Sequence, residues 1–251
     1  MRTIIFLTAF LGIFSQHPLA AQSNQPVVID EDIQLLELAD SIFIHISWHQ
    51  DHRFGRFPSN GMLLVRNGEA LMIDTPMDQA KTERLVRYLH DSLSVRVTTL
   101  IIGHFHDDCM GGLPYLQSLG VVSIASDLTV NHCLKTGRPV PSRAFSESLE
   151  FDFNGETVDC RFWGAGHSFD NITVYFPQRQ ILFGGCLVKS LASKSPGNLS
   201  DAVIHQWEST IRRLIQGYPD MKLVIPGHGN FGDTTLLTHT IYLVREYQGL
   251  P

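Results

Sequence analysis

The chain predicts an α/β protein in which two sheets pack face to face and are covered outside by helices. Short apolar or alternating runs fall into two groups, one in each half of the sequence, and helical stretches occur in both halves. At 251 residues with 43% hydrophobic side chains the chain can bury a sizeable core, and no repeat, linker or low-complexity tract divides it.

The beginning is set apart. Arg2 precedes an apolar stretch over residues 4–14, and the small pair Ala20-Ala21 leads into polar Gln22-Ser23-Asn24-Gln25. This pattern predicts a secretory signal over residues 1–21, cleaved after Ala21, ahead of one domain over residues 22–251. A membrane helix is the competing reading, but the apolar core is too short and His17-Pro18 interrupts it. The junction carries no cysteine, which argues against a lipoprotein anchor. The mature protein is therefore expected in the periplasm, without stable membrane insertion. The formal charge of −6 becomes more negative when Arg2 is removed, a balance that argues against a nucleic-acid partner.

The first half is strand-rich, with strands predicted over residues 34–38, 42–47, 62–66 and 70–74 and turns at Asn60-Gly61 and Asn67-Gly68. A helix follows over residues 78–93, where Leu85, Val86, Leu89 and Leu93 share one face. Next come a buried strand over 98–102, helices over 111–119 and 127–135, and a strand over 121–125 between them. Later strands are predicted over 158–163, 172–176, 180–183 and 222–225. Val203, Trp207, Ile211, Leu214 and Ile215 make an amphipathic stripe, and a helix over 234–248 closes the chain.

The chemistry concentrates where the strand over 98–102 ends, in Gly103-His104-Phe105-His106-Asp107-Asp108-Cys109. Strand termini are where α/β proteins hold ligands. In an extended chain, alternation sends His104, His106 and Asp108 to one side and Phe105 into the body of the protein. Imidazoles and carboxylates one residue apart form a natural zinc chelate, which disfavours the alternative of hydrogen-bonded surface histidines. Further donors stand in similar settings: His167, Cys186 and His228 each follow a short apolar run and are flanked by glycine. His45, His90, His132, His205 and His239 lack that context and read as structural or solvated. Four cysteines in an exported protein would ordinarily suggest two disulfides, but Cys109 and Cys186 sit inside the metal constellation. Cys133 and Cys160 read as buried thiols, and no disulfide is expected.

These residues resemble the metallo-β-lactamases, specifically the first subclass of the class B enzymes. The resemblance runs through nearly the whole mature chain, from Pro58-Ser59-Asn60-Gly61 through Ile73-Asp74-Thr75-Pro76 to Pro226-Gly227-His228-Gly229. It implies a four-layer αβ/βα sandwich with two zinc ions along the upper edges of the sheets. Residue by residue, it assigns His104, His106 and His167 to the first zinc and Asp108, Cys186 and His228 to the second. Lys189 would meet the substrate carboxylate, and Asn198 would stabilise the developing oxyanion. Asp108 and Asn198 would act in catalysis, and Asp74 would support the metal loop from behind. The implied activity is zinc-dependent hydrolysis of the β-lactam amide of penicillins, cephalosporins and carbapenems by a zinc-bound hydroxide, conferring antibiotic resistance.

Three further expectations come with it. Residues 48–57 would form a mobile flap over the substrate. Cys109 would point away from the metals and act on packing or charge beneath the second one. The partner is a small-molecule β-lactam, and the protein is expected to be a monomer. One alternative is another hydrolase of the superfamily, such as a glyoxalase II-like thioesterase. Those relatives carry histidine directly after the motif aspartate and an aspartate bridging the metals, where this chain has Cys109 and Cys186. A noncatalytic zinc-binding envelope protein is the other alternative, although binding alone would not call for Lys189 or Asn198.

Overall fold

The computed structural model describes residues 25–52 and 55–250. The expected signal over residues 1–21 lies outside the described residues, as do Arg53 and Phe54. In chain order the elements are β1 (Val27–Asp30), β2 (Ile33–Ala39), β3 (Ile42–Asp51), β4 (Gly55–Arg66), β5 (Glu69–Ile73), α1 (Gln79–Leu93), β6 (Arg96–Ile101), α2 (Asp107–Met110) and α3 (Leu113–Ser118). They continue as β7 (Val122–Ser126), α4 (Asp127–Thr136), β8 (Arg143–Phe145), β9 (Ser148–Phe153), β10 (Glu156–Arg161), β11 (Thr173–Phe176), β12 (Ile181–Gly185), α5 (Ile204–Gly217), β13 (Leu223–Pro226) and α6 (Thr235–Tyr247). Among the described residues no helix is long and apolar enough to cross a membrane.

Strands β1 to β8 form one eight-stranded sheet in sequence order, and the second sheet runs β13-β12-β11-β10-β9. Three apolar clusters fill the spaces between four layers. Leu63, Met72 and Leu100 point to the helix side, where they meet Leu85, Leu89, Leu113 and Leu116. Their neighbours Met62, Leu64, Leu71, Ile73 and Ile101 point the other way, onto Val158, Val174, Phe176, Phe183 and Ile225 of the second sheet. Strands buried on both faces read as continuous apolar runs, which is how this segment looks in sequence. On the far side, Leu182 and Val224 pack under Trp207, Ile211, Leu214, Leu237 and Val244 of α5 and α6. This is the expected αβ/βα sandwich.

The turn expected at Asn67-Gly68 is present, and two other local expectations are corrected. Asn67-Gly68 is a two-residue hairpin turn, with φ of 53° and 74° as a primed turn needs. Asn60-Gly61 is instead the buried middle of β4, paired with Ile46 and His45 of β3. Glycine is needed there because a methyl group would run into the His45 ring. Its sequence signal resembled a turn but serves a close approach. The helix expected over 111–119 is α3 alone, with α2 a separate turn before it. β1, β8 and β9 had not been anticipated. β1 and β9 lie at sheet edges with exposed residues along them, and β8 has only three residues.

Candidate metal centre

β5 pairs with β6, and β12 with β13, in parallel, so their carboxyl ends emerge together at one edge of the sandwich. Each end delivers a residue: Asp74 after β5, His104 after β6, Cys186 after β12 and His228 after β13, while His167 comes from the β10–β11 connection.

The run after β6 does not stay extended, contrary to the alternation argument. His106 caps a helical turn that begins at Asp107, so a tight turn rather than the pleat brings His104, His106 and Asp108 together. Two buried carboxylates draw the chain into that shape. Asp74 accepts from the Gly103 N–H at 2.6 Å, and Asp170 accepts from the Phe105 N–H at 3.0 Å and the Thr129 hydroxyl at 2.7 Å. Asp74 itself adopts a left-handed φ of 58°, strain that the neighbouring strands hold in place. Burial pushes its carboxyl well above the ordinary range, against the Gly103 hydrogen bond.

All six sequence-predicted donors meet. His104 with His106 and Asp108, Asp108 with Cys186 and His228, and His104 with His167 and Cys186 each place their ligand atoms within 4.8 Å of one another. The imidazole rings of His104, His106 and His167 stand edge to face, with centroids 4.5 to 5.2 Å apart. The donors thus form one contiguous cluster rather than two isolated triads. Outer partners aim the rings: Cys109 Sγ lies 3.0 Å from His104 Nδ1, Asp201 Oδ2 lies 2.9 Å from His106 Nε2, and His228 Nδ1–H donates to Pro58 O at 2.8 Å. This is the support that metal-ligating histidines require. His167 is the exception, with Nδ1 buried and unpartnered.

The electrostatics suit cation binding. Burial lowers His104 to about 3 and His167 well below its usual value, so both imidazoles keep a lone pair at neutral pH. A hydrogen bond from Cys109 is the main reason that Cys186 is held near 6, against burial, which leaves a thiolate. Cys109 is pushed up by burial and stays a thiol. It lies beneath the cluster, between His104 and Cys186. Burial raises Asp108, but the hydrogen bond with His228 and the imidazoles of His104, His228 and His167 outweigh it and keep the carboxylate ionised. All four cysteines are free and buried.

A cavity of about 460 Å³ opens over the cluster, within the range of small-molecule sites. Lys189, Gly197 and Asn198 line it from the arm after β12, Gln50, Asp51 and Phe57 from the β3–β4 hairpin, and Met77 from the loop after β5. Lys189 is only 8% exposed, its ammonium 5.2 Å from the Trp207 ring, and burial lowers its pKa. Asn198 Oδ1 accepts from the Ser200 N–H at 3.2 Å and hydroxyl at 2.9 Å, so its Nδ2 is left as the free donor. Arg56 is turned away from the cavity, over Trp48 and onto Glu31 O. Phe57 belongs to the hairpin over residues 48–57 that the sequence placed over the substrate, whereas sequence reasoning missed Asp201, Asn60 and Asp170. Asn60 N–H donates to Gly227 O, and its amide to Pro226 O and Gly229 O, tying the first sheet to the His228 loop. None of these three sits at a ligand-like spacing. Only the position of Asp201, three residues beyond Asn198, could have drawn attention to it.

The fold and this cluster define a metallohydrolase of the two-sheet sandwich type, and the comparisons with known proteins name the family. Residues 54–228 match the family described as the Metallo-beta-lactamase superfamily. A metallo-beta-lactamase type 2 of Bacteroides fragilis is 40% identical over 240 residues, covering 96% of each chain. One of Bacillus cereus is 32% identical over 250 residues, covering 97% of this chain and 95% of its own. The solved structure of a metallo-beta-lactamase from Pontibacter korlensis superposes with a TM-score of 0.82 at 36% identity, covering 85% of this chain and 99% of that one. The chain belongs to the metallo-β-lactamase superfamily.

Proposed function

We propose that the protein is a zinc-dependent β-lactamase that opens the amide of penicillins, cephalosporins and carbapenems and so confers resistance. The observation that carries this reading is the convergence of six soft and hard donors at the floor of a cavity that also presents a buried lysine and a free carboxamide donor. In this reading His104, His106 and His167 hold one zinc ion, and Asp108, Cys186 and His228 hold a second. Three neutral imidazoles suit a site with an open position, and a thiolate with a carboxylate offsets the charge of the neighbouring dication. Bound zinc supplies Lewis acidity and a water acidic enough to react near neutral pH.

The chain's own residues do the rest. The Lys189 ammonium, little hydrated in its buried position, pairs with the substrate carboxylate and fixes the ring over the donors. Asn198 Nδ2, aimed by the Ser200 contacts, donates to the carbonyl oxygen as negative charge grows there. The ionised Asp108 carboxylate would accept a hydrogen bond from the attacking water and take up its proton for delivery to the departing ring nitrogen. Phe57 and Met77 give the substrate an apolar wall that excludes bulk water. Asp74 holds the Gly103 amide and with it the start of the ligand loop.

Residues 1–21 would direct export, leaving a single catalytic domain over 22–251, monomeric in the periplasm. The test is hydrolysis of a chromogenic cephalosporin by purified protein, with and without a strong chelator. Turnover abolished by chelation and insensitive to clavulanate-type inhibitors is expected, since the chain has no S-x-x-K serine-enzyme motif. Turnover that persists in metal-free protein would overturn the reading.

A further inference from the structure

We propose that Trp207 is a positioning residue for the substrate: its indole face holds the Lys189 ammonium at the cavity, ready for a carboxylate, without offering a competing anion. The inference rests on the β-lactamase reading above and gives a task to a residue that the apolar stripe of the sequence places simply in the core.

Lys189 is held at two points. Its main-chain N–H donates to the Thr240 hydroxyl of α6 at 2.8 Å, and its Nζ stands 5.2 Å from the centroid of the Trp207 ring in α5. A cation within about 6 Å of an indole face is attracted by the ring quadrupole, more strongly where water is excluded. Here the lysine is 8% exposed and the tryptophan is fully buried. Among the described residues no hydrogen bond or ion pair holds the Nζ. Cys186 and Asp108 attract the ammonium from a distance, but both are metal ligands in the reading above, where the cations offset their charge. A carboxylate beside the lysine would also compensate a buried charge, yet the substrate would have to displace it. A π face compensates the charge and leaves the three N–H donors available.

The ring itself cannot drift. Its Nε1–H donates to Leu187 O at 2.8 Å, two residues before Lys189. Gly166 lies against it, since a Cβ there would come within 3.0 Å of the indole. Ile211 and Leu214 of α5 and Leu237 and Val244 of α6 belong to the same apolar cluster. The competing account is that Trp207 only fills the core, because a buried tryptophan with its N–H paired needs no further role.

The two accounts separate on substrate charge. Michaelis constants are measured with zinc-loaded mature protein for a chromogenic cephalosporin and for the methyl ester of its carboxylate. Trp207→Leu keeps apolar bulk without a π face. It should raise the constant for the acid about 5–30-fold, the equivalent of about 1–2 kcal/mol, and leave that for the ester unchanged. Trp207→Phe, which retains a weaker π face, should fall between. Ring-fluorinated tryptophans introduced at position 207 alone keep the shape of the side chain while withdrawing negative potential from its face, so they decide the question even if the leucine variant does not fold. With them the logarithm of the acid's constant should rise with the number of fluorines, and the ester's should stay level. Equal rises for acid and ester, or constants indifferent to fluorine, would overturn the inference. A wild type that treats acid and ester alike would remove the role of Lys189 and the inference with it, whereas a wild type that hydrolyses neither would overturn the β-lactamase reading itself.

Discussion

Cys186 and Lys189 stand three residues apart after β12 and separate metal chemistry from substrate binding. Cys186→Ser replaces a thiolate with a neutral hydroxyl, so zinc titration should show one site kept and the other weakened, with activity sharply reduced; two equally tight sites would contradict the ligand assignment. Lys189→Ala should leave zinc content normal and raise the Michaelis constant for a carboxylate-bearing cephalosporin by about one to two decades, the equivalent of roughly 1.5–3 kcal/mol for a charge-assisted contact. Unchanged steady-state constants would make Lys189 a bystander. At this scale the six donors were legible because ligand types at short spacing leave a mark on sequence. Lys189 was less so, since most lysines are solvated, and only the packing against Trp207 shows it buried. Asp201 and Asp170 were illegible because their roles depend on contacts across 95 and 65 residues.

Elements differ in how far they matter to the site. Asp78 caps α1 by accepting from Lys81 N–H at 2.8 Å. Asp78→Ala should cost about 1 kcal/mol of stability in urea unfolding and leave zinc binding alone. Asn60 lies in β4, yet its amide holds two carbonyls of the His228 loop. Asn60→Ala should cost about 1–3 kcal/mol for each carbonyl left unpaired and also weaken the second zinc position. An effect on stability without any on metal affinity would mean that β4 does not position His228. Both outcomes hinge on what the sequence conveyed poorly. Apolar runs marked the central strands and α1, whereas Asn60-Gly61 looked like a turn because the residues that tolerate turns also permit close approach of the His45 ring. The H-x-H-x-D spacing was informative for a reason other than alternation, since a helical turn gathers those donors.

The layered architecture places polar histidines in its interior, and this makes the molecule acid-sensitive. His45 is buried, donating to Asp74 O at 3.0 Å, and burial lowers its pKa from 6.5 to about 4. Between those values the unfolded chain binds a proton that the folded protein refuses, so stability falls as pH drops below 6.5 and the loss is complete near 4. In unfolding measurements at about pH 7 and about pH 4.5, His45→Gln should therefore lose roughly 2–3 kcal/mol less than wild type; equal losses would show that His45 is not the group responsible. The two-sheet, helix-covered plan was legible from the grouping of strands, although the edge strands that complete the sheets were not. The central claim concerns how the joined sheets act as one catalyst, and zinc titration of metal-free mature protein during hydrolysis of a chromogenic cephalosporin tests it most directly. Activity should be absent without metal and complete by two equivalents of zinc, whereas hydrolysis in the metal-free protein, or none with zinc bound, would contradict it.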